Sequence, residues 1–236
     1  MRSEVSQEDY LRLITSLYYV YSAMEEELDR HAEHPALAAL YFPKQLARAA
    51  AALEDVQFFS GGAAPQAPSP NTVAYVARLR ELSATDPALL IAHAYTRYLG
   101  DLSGGQMLSK RLQNACKLSG KDGVHFYDFP EIGNIVMFKN EYRELLDSAP
   151  VDDATAQRIV EEAVLAFKLN GGLFMDAAPW TAESGSAAGE EATESAAHAH
   201  AHMSGLASKQ SNNWIAVAAV VAVAAVAVFA IVRASK

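Results

Sequence analysis

Between Pro87 and Leu118 the chain carries a strongly helical pattern that is broken once, by three glycines within Leu99-Gly100-Asp101-Leu102-Ser103-Gly104-Gly105-Gln106. A glycine inside a helix costs about 1 kcal/mol relative to alanine, so three so close together demand a compensating reason. The bare backbone either lets two helices cross at a kink or lets something flat and bulky lie against the chain. A phosphate cradle is the weaker reading, because neither G-x-x-x-x-G-K-[ST] nor G-x-G-x-x-G is present and no strand precedes the segment. Asp101 makes the kink unusual. Its carboxylate is either solvated on the outer face or placed to relay protons in a pocket.

Proline and glycine punctuate further helical patterns and no strand alternation appears, which predicts an all-α domain of six or seven packed helices. Ser6 with Asp9 resembles a capping box opening a helix through Arg30, with Leu13, Leu17, Val20, Tyr21, Met24 and Leu28 at helical spacing. His31 to Pro35 ends it. A short helix follows Pro43, and Gly61 to Pro70 is a loop, since it holds three prolines and two adjacent glycines. Asn71 is expected to cap the next helix, and Pro87 to open the long kinked one, which reaches Leu118. Phe129-Pro130 is expected to open another helix ending near Leu146. Asp152 or Asp153 starts the last, which ends near Met175.

From Ser184 to Gln210 the composition shifts to Ala, Gly, Ser, Glu and His, with almost nothing large enough to offset the entropy of ordering. The organisation read from this is a helical domain over residues 1–180, a disordered linker over 181–211 and a C-terminal membrane anchor over 212–236. Trp214 to Val232 is uncharged and apolar, close to the ~20 residues that cross hydrocarbon, with Trp214 at one rim and Arg233 and Lys236 at the other. A buried core helix is the alternative, but such a helix usually keeps a polar face, and this run is apolar all round. So few residues follow Val232 that insertion is expected after synthesis, with the domain on the cytosolic side of the endoplasmic reticulum membrane.

Met1-Arg2-Ser3-Glu4 has no secretory pattern. The net charge of -9 argues against a nucleic-acid surface, which needs clustered cations. Cys116 is the single cysteine, which excludes an intrachain disulfide and suits a reducing compartment. His198, His200 and His202 alternate with alanine in the linker, where a flexible chain lacks the fixed geometry of a dedicated metal site. Lys139 and Arg143 lie four apart on one helix face, as a pair that meets an anionic ligand or as a solvated basic stripe. Tyr95, Phe167, Asn170 and Phe174 read by themselves as core packing at helical spacing.

The stretch His93-Ala94-Tyr95-Thr96-Arg97-Tyr98-Leu99-Gly100-Asp101-Leu102-Ser103-Gly104-Gly105-Gln106 closely resembles the signature of the haem oxygenases. Further stretches are similar: Ser16-Leu17-Tyr18 through Glu25-Glu26-Glu27, Tyr41-Phe42-Pro43, Phe138-Lys139 with Tyr142-Arg143, and Phe167 with Asn170 and Phe174. The resemblance runs from Gln7 to Met175, and the anchor matches the eukaryotic tail-anchored type. It implies a helical sandwich holding haem between a proximal helix and the kinked distal helix. Haem, as substrate and prosthetic group, is opened with O2 and reducing equivalents to biliverdin, carbon monoxide and ferrous iron. The electrons come from NADPH through a membrane-bound flavoprotein reductase.

The same resemblance makes Asp101 the central catalytic residue, ordering with Tyr21 and Arg97 a water network that delivers protons and directs oxidation to the α-meso carbon. Lys139 and Arg143 then meet the propionates. Tyr95, Thr96, Gly100, Ser103, Gly104, Gly105, Phe167, Asn170 and Phe174 line or support the haem pocket.

The family's axial histidine lies on a helix upstream of the segment matching Ser16-Leu17-Tyr18, and no histidine or matching basic residue precedes Ser16 here. The expectation is that a proximal helix is missing from the sequence as it stands, through an incomplete gene model or an alternative start. No metal ligand is carried over. His93 reads as a hydrogen-bonded core or surface histidine, His31 and His34 sit at a helix end, and His125 lies in a loop. Two other functional classes follow: a haem-binding or sensing protein without turnover, and a tail-anchored helical adaptor with no ligand.

Overall fold

The computed structural model describes residues 6–177, and among them there are helices and turns but no strand. The α-helices are α1 (Gln7–Arg30), α2 (Pro43–Leu46), α3 (Ala49–Ser60), α4 (Pro70–Thr85), α5 (Leu90–Gly100), α6 (Gln106–Cys116), α7 (Ile135–Asp147) and α8 (Asp153–Ala177). A π-helical turn, Asp101–Gly105, joins α5 to α6, so these two form one kinked rod. Counted that way the described residues form seven rods, at the upper end of the expected number.

Helix α1 is the central element. Ser6 accepts from the Asp9 amide at 3.0 Å, which starts the helix as a cap should. Leu13, Leu17, Val20, Tyr21, Met24 and Leu28 are all buried, against α3, α4, α8 and α5. Helix α5 buries every residue from Leu90 to Leu99, because it runs between α1 and α8.

Several boundaries differ from expectation, each for a physical reason. Ser69, not Asn71, caps α4: its hydroxyl accepts from the Thr72 amide at 3.2 Å, and Pro70 fills the first helical position. Asn71 turns to the far end of α8, donating to Asp176 at 2.7 Å and to the Gly172 carbonyl at 3.3 Å. Pro87 to Leu89 form a 3-10 turn, so α5 begins at Leu90. The rod ends at Cys116 because Lys117 adopts the left-handed conformation, at φ 54°.

Phe129-Pro130 does not open α7. Phe129 is pinned instead under the Arg48 guanidinium, 4.4 Å from its ring centroid, and the helix starts after Asn134, which caps the Met137 amide at 3.0 Å. Helix α3 had no separate place in the expected order. Its first amide and that of Arg48 both donate to Glu25 of α1, so its start signal lies a whole helix away. Helix α8 starts at Asp153 as anticipated, with Asp152 accepting from the Thr155 amide at 2.7 Å, and runs just past Met175.

The expected linker with its histidines, and the expected membrane anchor, lie outside the described residues. Among the described residues no helix is long and apolar enough to cross a membrane. Replacing Ser69 by alanine should lower the stability of the domain by about 1 kcal/mol. A shift of the urea midpoint at unchanged slope would register that loss, and an unmoved midpoint would show that Ser69 is not the cap.

Candidate active site

The three glycines of the kink do two different jobs. A Cβ on Gly105 would come within 2.8 Å of the Tyr127 ring, so this glycine lets the rod cross the 3-10 turn His125–Tyr127 at close range. At Gly100 and Gly104 an added Cβ would meet no protein atom within 4 Å. No packing of the described residues therefore requires glycine there. Gly104 lies within the π turn and Gly100 immediately precedes it; such a widened stretch of helix is often found at functional sites.

Around that bare backbone the chemistry is mixed. Ser103 and Gly104 are exposed, and Lys139 of α7 donates to the Ser103 hydroxyl at 3.1 Å. Arg143, one turn further on, bonds Asn140 at 3.2 Å and reaches the Tyr95 hydroxyl. Partial burial and the neighbouring Arg143 lower the Lys139 pKa. Elsewhere on α6 and α7, Met107, Val136 and Met137 stay exposed, each more than half open to solvent. Thr96, one turn before Gly100, buries a hydroxyl with no hydrogen-bond partner. Open backbone with two cations beside it suits a large, flat molecule with acidic groups at one edge.

Behind the kink lies a closed polar cluster. Asp101 is only 7% exposed and turns toward α1, where the Tyr21 hydroxyl donates to its Oδ2. Arg97 spreads its fork over three partners: Nε donates to the Tyr21 hydroxyl at 3.0 Å, one terminal nitrogen to Asn170 at 2.7 Å, and the other to Asp101 Oδ1 at 3.3 Å. Burial pushes the Asp101 carboxyl above the usual range, with Arg97 and Tyr21 opposing it. Burial also raises the Tyr21 phenol far above its ordinary value. Arg97 keeps its charge: burial works against it, but Tyr21, Asp101 and Tyr75 together raise its pKa. A desolvated carboxyl held by one fixed cation and one phenol is suited to keeping and releasing a proton.

Of the other anticipated site residues, Asn170 is brought into the Arg97 fork and Tyr95 is buried beside Arg143. Phe167 and Phe174 are half-buried on α8, on either side of Asn170 along the helix. The four histidines of the described residues are all engaged elsewhere. His93 is wholly buried between Glu162 and Tyr75, at 2.9 and 3.2 Å, as a core histidine. His31 bonds Ser83, His34 accepts from the Ala36 amide, and His125 pairs with Glu54. Among the described residues no group of three or more His, Cys, Asp or Glu side chains is arranged to hold a metal ion.

Sequence reasoning missed the support behind the kink. Asp55 of α3, completely buried, accepts the His125 and Phe126 amides at 2.8 and 2.9 Å and so fixes the turn that carries Tyr127. Burial pushes its pKa up to about 6. Phe126 meets the Tyr21 ring edge-on at 5.0 Å. The one available signal was a carboxylate on the apolar face of α3, between Ala52 and Val56. The split between the glycines predicts that Gly104→Ala leaves thermal stability unchanged or raised, whereas Gly105→Ala, which must displace Tyr127, lowers it. Equal losses in calorimetry would refute that division.

Comparison with known proteins agrees with this geometry. A family model described as Heme oxygenase matches residues 1–176. Heme oxygenase 1 of Synechocystis sp. (strain ATCC 27184 / PCC 6803 / Kazusa) is 46% identical over 176 residues, which covers 74% of this chain and 72% of that protein. Heme oxygenase 1 of Homo sapiens is 43% identical over 178 residues, covering 73% of this chain and 61% of that protein. The crystal structure of heme oxygenase-1 from the cyanobacterium Synechocystis sp. PCC6803 in complex with heme superposes with a TM-score of 0.70 at 46% identity, over 72% of this chain and 77% of that one. The matched region contains the kinked rod, its open glycines and the buried Asp101 cluster together, and the chain belongs to the haem oxygenase family of oxidoreductases.

Proposed function

We propose that this protein opens haem oxidatively to biliverdin, carbon monoxide and ferrous iron, using O2 and electrons passed from NADPH by a reductase. The observation that carries this reading is the bare, open backbone at Gly100 and Gly104 directly over the buried Asp101–Tyr21–Arg97 cluster. Bound haem supplies the iron that takes up oxygen and the ring that is oxidised. Everything else is the work of the chain. Gly100, Ser103, Gly104 and Thr96 form the flat wall, and Gly105 keeps that wall seated on Tyr127. Tyr95, Phe167 and Phe174 fill its flanks. Lys139 and Arg143 meet the propionates as cations at one rim.

Asp101 serves as the proton store. Its raised pKa makes it a better acid near neutrality than an exposed carboxylate, and Arg97 and Tyr21 fix which way its oxygens face. The carboxyl turns toward α1 and would pass its proton to bound haem through an intervening water. The second reading, haem binding without turnover, is favoured by the engagement of all four described histidines elsewhere.

The apolar run from Trp214 to Val232 supports a C-terminal anchor of the eukaryotic tail-anchored type, with the domain on the cytosolic face of the endoplasmic reticulum. There a membrane-bound NADPH-dependent flavoprotein reductase is the electron donor, and a shared membrane raises the effective concentration of the pair. Removing residues 212–236 should move the protein from the membrane pellet to the supernatant while ring opening with a soluble donor persists.

Haem titration and product spectra test the catalytic assignments. Asp101→Ala should still take up haem but lose most biliverdin formation, at least tenfold, as expected for a lost general acid. Gly104→Leu should fold yet lose the haem absorption band. Unchanged biliverdin yield from Asp101→Ala would remove that residue from the reaction.

A further inference from the structure

The turn His125–Tyr127 touches both halves of the site, and one side chain that grips it has no role in the reaction as described. Asp55 holds the turn from α3 through its first two amides. From the rod, Gln106, the first residue after the π turn, donates its side-chain amide to the Tyr127 carbonyl at 2.6 Å. Gln106 is otherwise exposed, so this bond, not burial, fixes where its side chain lies. The Tyr127 ring lies against Gly105, and the Phe126 ring stands edge-on to both Tyr127 and Tyr21, at 5.0 Å in each case. Tyr21 in turn donates to Asp101.

Asp101, Gly105 and Gln106 must therefore all reach the same side of the rod. An α-helix advances about 100° per residue, so it would bring residue 105 to within about 40° of Asp101 but carry residue 106 about 140° away. A glutamine displaced that far would point away from the Tyr127 carbonyl. A π turn closes five residues on instead of four, and the extra residue returns position 106 to the face of position 101. The chain is π-helical from Asp101 to Gly105, the stretch that spans these two grips. Arg97 and Tyr21 hold it at the start, and Gln106 holds it at the end. A π turn is rare, and this one is fixed from both sides.

We propose that Gln106 is a positioning residue: its bond to the Tyr127 carbonyl holds Asp101–Gly105 in the π form, and that form sets where the open backbone at Gly104 stands relative to Asp101. Without the bond the turn is free to tighten to α, which swings Gly104 and Gly105 about the rod and draws Gly105 off Tyr127. A flat guest on that backbone would then meet Asp101 from a different angle. The consequence for the guest rests on the haem-opening function proposed above, but the form of the turn is a property of the haem-free protein.

Nuclear magnetic resonance of the haem-free protein reads the form of the turn through scalar couplings across its backbone hydrogen bonds. In the wild type the amides that end the turn should couple to carbonyls five residues back, and the Gly105 α-protons should carry the ring-current shift of Tyr127. Gln106→Met keeps the length and helix preference of the side chain but removes the donor. Its couplings should move to carbonyls four residues back, and the Gly105 shift should be lost. Gln106→Lys supplies a donor of similar reach and should restore both. Loaded with haem and a reductant, the wild type should yield one biliverdin isomer and Gln106→Met a mixture, which a mere loss of stability would not produce. Five-back couplings and a Gly105 shift that persist in Gln106→Met overturn the proposal, as do couplings that Gln106→Lys fails to restore, or a single unchanged isomer from a variant whose turn has tightened. Failure of the wild type to open haem would instead count against the function proposed above and leave the couplings unaffected.

Discussion

The structure depends on burying the Arg97–Asp101 pair with the Tyr21 phenol closed over it. Taking a guanidinium and a carboxylate out of water is costly, and only a full set of bonds offsets it. Here the set comes from three helices. Arg97 and Asp101 belong to the kinked rod, Tyr21 to α1 and Asn170 to α8, so the pair is satisfied only when all three are docked. Fold and site are thus a single object: the polar groups proposed to hold a proton for chemistry are also those whose satisfaction ties the central helices together.

The kink shows how the same residue type serves separate demands within one turn. Gly105 answers to the protein, because Tyr127 occupies the space a side chain would need. Gly100 and Gly104 answer to nothing in the described protein, which directs attention outward to the side where Lys139 of α7 reaches Ser103. Of the two explanations that the residues alone left open, the helix crossing is met at Gly105, and the flat guest is the one proposed for Gly100 and Gly104.

How much could be read in advance follows from where each signal sits. The Ser6 cap and the spacing along α1 were legible because cap and helix are adjacent, and the glycine interruption was legible because its cost is local. The start of α3 was not, since its cap is Glu25, nor was the brace behind Tyr127, since its acceptor is Asp55. Asn71 was misread because its side chain meets α8, far away in sequence, while the neighbouring Ser69 does the capping. The family resemblance, not periodicity, pointed to Tyr21 and Asn170. Their partners become visible only once α1 and α8 lie on either side of the rod.

Those displaced start signals have a consequence for how the domain can be divided. Helix α3 begins on a carboxylate of α1, and the turn behind the kink begins on a carboxylate of α3. Nucleating a short helix is unfavourable by itself, so a segment whose initiating acceptor resides on another element has little reason to order alone. Cutting the chain between α3 and residue 125 would leave neither piece with its full complement of initiators. The domain is therefore expected to melt as one cooperative unit, its two halves lacking independent existence.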